Sequence, residues 1–166
     1  MYPRTILETA QYHFESSFDD LLQQIELDCS HYLQSSVTLF KQLPSTTQNA
    51  QKVKLRHRRS DDFHQNFNEC FDVSKLYERS LTCYTTLSRE LTEGFEWFAI
   101  FPPNSFKYLY NPACSDLNNL RDVDPTLLKQ VVDLSYFSEQ LQSHTHLDPE
   151  VIIFNMPSYY AIRVQV

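Results

Sequence analysis

The stretch EGFEWFAIFPPNSFKYLYNPACSDL, Glu93 to Leu117, contains the only glycine of the chain, Gly94, and the only tryptophan, Trp97. Within it, EWFAIF and SFKYLY predict two strands that turn at Pro102-Pro103-Asn104. Alternation divides the first strand into two sides. One side carries Trp97, Ala99 and Phe101, and the other carries Glu96, Phe98 and Ile100. Because neither side is polar, we expect this strand to be covered on both faces and its aromatic residues to be core.

Upstream of this stretch, TLSRELTEG predicts a short helix that ends at Gly94 in a left-handed conformation. Near the start of the chain, Pro3 suits a first helical turn, and apolar residues recur at helical spacing from Ile6 to Leu33. This pattern indicates one amphipathic helix, or two if Ser17 and Asp20 form a capping pair. The other expected elements are a strand at 37–43, a helix through Phe63, Phe67 and Phe71, a strand that begins at Arg79, a helix from Asp124 to Leu141, and closing strands at 150–154 and 159–165.

This order of elements predicts the α+β class, with a small split sheet and helices packed outside it. At 166 residues, the chain is expected to form one compact domain. Its parts would be an N-terminal helical segment at 1–35 and an α+β core at 36–166.

Composition excludes several kinds of function. A chain with one glycine cannot build the glycine-rich loops of P-loop or Rossmann nucleotide sites. A net charge of −7 argues against a bulk nucleic-acid or membrane binder, and no apolar run reaches the length of a membrane span. The four cysteines form no CxxC pair, and no signal-peptide pattern follows Met1. We therefore expect a cytoplasmic protein with reduced thiols.

Three polar clusters are candidate sites, and each has a simpler interpretation. His144 and His146 could bind a metal, but an exposed polar loop is favoured because no further ligand is nearby. Lys52, Lys54, Arg56 and Arg58 would lie on one side of a strand and could contact nucleic acid. A solvated edge strand protected by its charges is favoured instead. Asp148 and Glu150 lie at the start of a closing strand, where a surface loop is the simpler interpretation.

Five segments in this order resemble a family of small tailed-bacteriophage proteins with a fold like that of the Arg-Ser-Glu mono-ADP-ribosyltransferases. The segments are DCSHYL (28–33), TLFKQ (38–42), FHQNFNECF followed by RSLTCYT (63–85), the opening stretch (93–117) and EVIIFNMPSYYAI (150–162). The resemblance implies an ADP-ribosyltransferase-type split or mixed sheet. It also implies NAD as the substrate whose nicotinamide–ribose bond is broken.

The resemblance also implies roles for individual residues. Glu150 would be the catalytic glutamate that stabilises the cationic ribose. Asp148 would orient the acceptor, and two residues apart on a strand face the same side. Thr85 and Thr86 fall at the Ser-Thr-Ser-like strand and would hold the ribose or Glu150. Lys41 stands where the family has arginine and would contact NAD.

Two departures from the family pattern lie side by side. Lys41 provides a point charge in place of the planar fork of arginine, and Gln42 replaces a glycine that lets the backbone approach the ligand. The expected function is a phage-type transferase that modifies a host or viral macromolecule during host takeover. The alternative is a catalytically degenerate relative that acts as a binding or inhibitor protein against a host factor.

Overall fold

The computed structural model describes residues 2–56, 80–110, 136–138 and 150–164. These residues form an α+β fold with two α-helices and eight strands, as the sequence predicts at this level. The helices are α1 (Pro3–His13) and α2 (Asp19–Asp28). The strands are β1 (Leu39–Pro44), β2 (Ala50–Lys54), β3 (Ser80–Cys83), β4 (Phe95–Phe101), β5 (Lys107–Tyr110), β6 (Tyr136–Ser138), β7 (Val151–Phe154) and β8 (Ser158–Arg163).

The N-terminal segment forms two helices, which settles the alternative that the periodicity leaves open. Pro3 occupies the first turn of α1, where its missing N–H costs nothing. The predicted capping pair is not the cause of the break, because α2 starts without a side-chain cap. Asp19 and Asp20 lie in the first turn of α2, where negative charge is favourable next to the helix dipole.

The strands form two antiparallel four-stranded sheets within the described residues. The first sheet has the order β1-β4-β8-β2, and the second has the order β3-β7-β5-β6. α1 contacts β4 and β8, and α2 contacts β2, so the helices pack on the first sheet. Residues 97–101 of β4 are all buried, which confirms that both faces of this strand are covered.

The two strands of the opening stretch belong to different sheets. The chain leaves the first sheet at Phe101 and enters the second at Lys107, and it returns to the first sheet between β7 and β8. The two crossings are bonded to each other. Ser105 Oγ donates to Asn155 O at 3.2 Å, and Asn155 Nδ2 donates to Ser105 O at 2.9 Å. Asn155 has φ 64°, a left-handed conformation that asparagine tolerates better than most residues.

A single arginine holds the connection between β1 and β2, which must cross the end of the first sheet because these strands lie at its opposite edges. Arg163 Nε donates to Asn49 Oδ1 at 2.9 Å, and Nη2 donates to Ser45 O at 3.1 Å and Thr47 O at 2.5 Å. Its Nη1 pairs with the carboxylate of Glu96. We call this arrangement the Arg163 clamp.

The helix predicted at Thr86–Gly94 is wrong. These residues form bends and a turn, although Gly94 has the expected left-handed φ of 81°. The side chains explain the difference, because Thr86 Oγ1 lies 2.7 Å from Ser88 Oγ and accepts from Ser88 N. Such local bonds compete with the helical ladder.

The helix predicted from Asp124 to Leu141 is contradicted at Phe137. Residues Tyr136–Ser138 form β6, in which Phe137 pairs with Leu109 of β5. Pairing with an available strand edge has overridden the helical periodicity there. The remainder of that helix and the predicted helix through Phe63 lie outside the described residues.

Candidate functional site

Glu150 lies at the start of β7 and is only 7% exposed. The register of β3 and β7 pairs Cys83 with Val151, and its extension by one residue places Glu150 opposite Tyr84. Glutamate is seldom buried this deeply, because a carboxylate removed from water needs polar partners. Among the described acidic residues, Glu150 is the one that is buried.

Tyr84 joins the two sheets next to Glu150. Its N–H donates to Phe40 O at 2.8 Å, and Phe40 N–H donates to Tyr84 O at 2.7 Å. Phe40 belongs to β1 of the first sheet, whereas Tyr84 directly follows β3 of the second. Phe40 and Tyr84 therefore connect the two sheets at the end of β3, and Glu150 directly precedes β7, the strand that pairs with β3.

Lys41 reaches the same junction from β1. Its Nζ donates to Thr82 O of β3 at 3.1 Å, and its side chain is half-buried. Lys41 thus supplies positive charge near the end of β3, and its ammonium group also stabilises the contact between the sheets.

The two candidate threonines lie in the bend that follows Tyr84. Thr85 is half-buried, and Thr86 is exposed with its hydroxyl bonded to that of Ser88. The structure therefore brings Lys41, Thr85 and Glu150 to the surroundings of Tyr84 and directs Thr86 towards Ser88. Asp148 lies outside the described residues.

Arg89 is a member of this junction that the sequence analysis missed. Its guanidinium carbon lies 3.9 Å from the centroid of the Tyr84 ring, a stacked cation–π contact. The only local signal was an arginine five residues after a tyrosine. In the predicted helix, residues three or four apart are neighbours, so Arg89 would not be expected beside Tyr84.

Gln42 positions the bend that carries Arg89. Its Nε2 donates to Glu90 O at 2.8 Å, and its Oε1 accepts from Thr92 N at 2.9 Å. The Gln42 side chain is therefore part of the fold at this junction.

A second group of buried titratable residues lies between the helices and the first sheet. Tyr160 OH donates to Asp28 Oδ2 at 2.5 Å. Burial is the main cause of the raised pKa of Tyr160, and the Asp28 carboxylate raises it further. Burial raises the pKa of Cys29 to about 12, so its thiol stays protonated and unreactive at neutral pH. These groups stabilise the fold and are poor candidates for nucleophiles.

The basic residues of β2 are exposed at the edge of the first sheet, as the edge-strand interpretation expects. Lys52 and Lys54 are exposed, and Lys52 Nζ lies 5.5 Å from the centroid of the Tyr160 ring. Arg56 is also exposed, and Arg58 lies outside the described residues.

The described parts of the chain hold no group of three or more histidine, cysteine or acidic side chains arranged to bind a metal ion. His144 and His146, the predicted metal pair, lie outside the described residues. Within the described ranges, no helix combines the length and apolar character needed to cross a membrane.

Comparison of the chain with protein-family models, curated proteins and solved structures finds no match. The functional assignment therefore depends on the geometry at the junction of the sheets and on the resemblance of the sequence segments.

Proposed function

We propose that the chain is a phage-type mono-ADP-ribosyltransferase that uses NAD as a substrate and modifies a host or viral macromolecule. The observation that carries this proposal is the buried Glu150, which directly precedes β7, the partner of β3, and β3 accepts a hydrogen bond from Lys41 of β1 at Thr82 O. Three separate parts of the chain thus contribute a carboxylate, a cation and hydroxyl groups to one corner of the fold.

The chemistry suits a buried carboxylate. When the bond between nicotinamide and ribose breaks, its electron pair leaves with nicotinamide and positive charge develops on the ribose. Glu150 would accept a hydrogen bond from a ribose hydroxyl and stabilise this charge, and its burial strengthens the attraction. An acceptor nucleophile then bonds to the ribose and loses its proton, in an orientation that Asp148 would set.

The dinucleotide also carries a negatively charged pyrophosphate, for which the junction supplies cations. Lys41 would provide a point charge, and Arg89 would provide the planar fork that matches phosphate oxygens. Thr85 would donate its hydroxyl to the ribose or to Glu150, with Thr86 beside it. Gln42 would fix the bend so that Arg89 stays over Tyr84.

The test is release of nicotinamide from NAD by the purified chain, compared with Glu150→Gln and Glu90→Gln. We expect Glu150→Gln to lower the rate by about a hundredfold or more, because a transition-state contact is lost. Glu90 is exposed, so Glu90→Gln should retain the rate. A rate for the unchanged chain no higher than that of Glu150→Gln, with no NAD binding by calorimetry, contradicts the proposal.

A second candidate function is favoured by the two departures from the family pattern. Lys41 donates to Thr82 O and Gln42 holds the bend, so both side chains are occupied in building the fold. On this alternative, the chain is a degenerate relative that binds or inhibits a host factor. The discriminating measurement is NAD cleavage by Lys41→Arg. If the unchanged chain is inactive and this variant turns over NAD, the degenerate function is supported; an active unchanged chain contradicts it.

A further inference from the structure

The outer edge of β2 presents backbone groups that no described strand uses. Arg163 N donates to Asn49 O at 2.8 Å, and Leu55 N donates to Pro157 O at 2.9 Å, at the two ends of the β2–β8 pair. Backbone groups alternate in direction along an antiparallel strand, so the odd-numbered residues of this segment bond to β8. The residues whose N–H and C=O point outwards are then Ala50, Lys52 and Lys54.

A groove lies along the first half of this edge. It has a volume of about 670 Å³ and is lined by residues 47–52 on one side. The lining residues of the other side are Glu15, Ser17, Phe18 and Leu21. Phe18 and Leu21 are half-buried, so they offer apolar surface to whatever lies against β2. The groove therefore places the outer edge of β2, which no described strand pairs with, opposite a wall of two polar and two apolar side chains.

The charge along the edge is positive where the strand continues. Lys52, Lys54 and Arg56 are exposed, and the side chains of Lys52 and Lys54 lie on the same face of the sheet as Ala50. Val53 and Leu55, on the other face, are half-buried apolar residues. A strand beside β2 would thus meet cations on one face and apolar side chains on the other.

We propose that β2 is a docking edge for an acidic, extended peptide segment of a partner protein, which adds to the first sheet as a fifth strand. Backbone hydrogen bonds to residues 50, 52 and 54 supply the register, and the lysines select carboxylates. This surface lies at the opposite edge of the sheet from Glu150, and its function does not depend on NAD.

Two other occupants fit the edge less well. A second copy paired antiparallel through β2 would bring Lys52 and Lys54 of one chain against those of the other, and like charges opposite each other are destabilising. Nucleic acid offers phosphates but no regular backbone donors and acceptors for the outward groups of β2.

The pattern of β2 defines a probe peptide. For antiparallel addition, the segment Val-Glu-Val-Glu-Thr-Val places valine opposite Leu55, Val53 and Ala50, and glutamate opposite Lys54 and Lys52. A fluorescein-labelled peptide of this sequence is titrated with the full chain, and binding is followed by fluorescence polarisation. The control peptide has lysine in place of both glutamates.

Two variants at one position separate the backbone from the charge. Lys52→Ala removes the charge and keeps the outward N–H, whereas Lys52→Pro also removes the N–H without touching the bonds to β8. We expect Lys52→Pro to bind about fivefold more weakly than Lys52→Ala, because one backbone hydrogen bond is lost. Circular dichroism checks that both variants are folded, and Lys52→Glu with Lys54→Glu should reverse the preference to the lysine peptide.

Four results would overturn the proposal. They are no binding of the glutamate peptide at millimolar concentration, equal affinity of Lys52→Pro and Lys52→Ala, tighter binding of a single-stranded oligonucleotide that displaces the peptide, and a dimer in sedimentation that Lys52→Pro disrupts. The first two remove the strand pairing, and the last two assign the edge to nucleic acid or to a second copy.

Discussion

The two edges of the first sheet use the same residue type in opposite ways. At the β1 edge, Lys41 is half-buried and donates to Thr82 O, and Phe40 is bonded to Tyr84 of the second sheet. At the β2 edge, Lys52 and Lys54 are exposed, and no described strand pairs beyond them. Lysine therefore connects two sheets at one edge and is exposed at the other. Its role depends on which residues lie beside it.

The proposed NAD site lies near the β1 edge, and the proposed peptide-docking surface lies at the β2 edge. The edge joined to the second sheet includes buried Phe40 and half-buried Lys41, and partial exclusion of water favours a charge-stabilising site. Within the described residues, no strand uses the outward backbone groups of β2, and strand addition requires such groups.

The largest effect is expected from Phe98→Ala, because Phe98 is fully buried in β4 between the two edges. Its register partners are Lys41 of β1 and Arg163 of β8. We expect a loss of about 3–5 kcal/mol in the free energy of unfolding, measured with chemical denaturant. Leu27→Ala, at a side chain 70% exposed, should change it by less than about 0.5 kcal/mol.

Amide hydrogen exchange of Phe98→Ala shows whether the two edges share one cooperative unit. Protection should fall at β1 and β2 together. Loss of protection at β2 alone would mean that the two edges unfold independently, and the comparison between them would then concern two separate units.

Arg163→Ala is expected to have the next largest effect, since the Arg163 clamp holds the connection between the two edge strands. Its removal leaves the carbonyl groups of Ser45 and Thr47 without this donor, and we expect a loss of about 2–3 kcal/mol. Arg163→Lys should restore little of it, because lysine lacks the planar fork.

The matched control for the clamp is Arg4→Ala. Arg4 pairs with Glu26 at 3.4 Å, with side chains 47% and 49% exposed, so its loss should cost under about 0.5 kcal/mol. Equal losses for the two arginine variants would show that the clamp contributes no more than a surface ion pair.

Alkaline pH tests the buried residues between the helices and the first sheet. Burial raises the pKa of Cys29 to about 12, so the folded chain keeps this proton at a pH where the unfolded chain has released it. Stability is therefore full below the ordinary thiol pKa and falls as the pH rises towards about 12. One such proton changes stability by at most about 1.4 kcal/mol per pH unit.

The check is the slope of the unfolding free energy against pH for the unchanged chain and for Cys29→Ala. The variant should have the shallower slope, although buried Tyr32 and Tyr160 contribute to both curves with the same sign. Superimposable slopes would show that the Cys29 thiol does not contribute.

The smallest effects compare the edges directly. Gln42→Ala removes both bonds to the bend at 90–92 and should cost about 1 kcal/mol. Lys52→Ala, at the open edge, should stay within about 0.5 kcal/mol of the unchanged chain. Thermal unfolding of the two variants measures the difference, and equal values would remove the contrast between the edges.

The sequence predicts the individual strands well because burial and alternation are local properties. The pattern EWFAIF places β4 at 96–101, and the observed strand is Phe95–Phe101. The same reasoning predicts β7 and β8, and the burial of Trp97 and Phe98 follows from the absence of a polar side.

Strand pairing was beyond local prediction, because it depends on contacts between distant parts of the chain. The sequence of residues 93–117 does not indicate that β4 and β5 enter different sheets. A Pro-Pro-Asn turn is compatible with a hairpin in one sheet and with a crossing between two sheets. The bonds between Ser105 and Asn155 that accompany the crossings join residues far apart in sequence.

The candidate site was predictable only in part for the same reason. Glu150, Lys41 and Thr85 came from the resemblance, and their placement around Tyr84 required the strand register. Arg89 and the role of Gln42 depend on the bend at 84–94, where side-chain bonds replace a helix that local propensity favours.

The position of β8 has a consequence for synthesis of the protein. β8 lies inside the first sheet, between β4 and β2, yet it is the last described strand to leave the ribosome. Until residue 163 has emerged, β2 lacks β8, its neighbour among the described strands, and α1 and α2 have only part of their partner surface. Until β8 has emerged, the nascent chain therefore exposes apolar helix faces and the β2 edge that β8 later covers, a state in which chaperones bind and in which aggregation competes with folding.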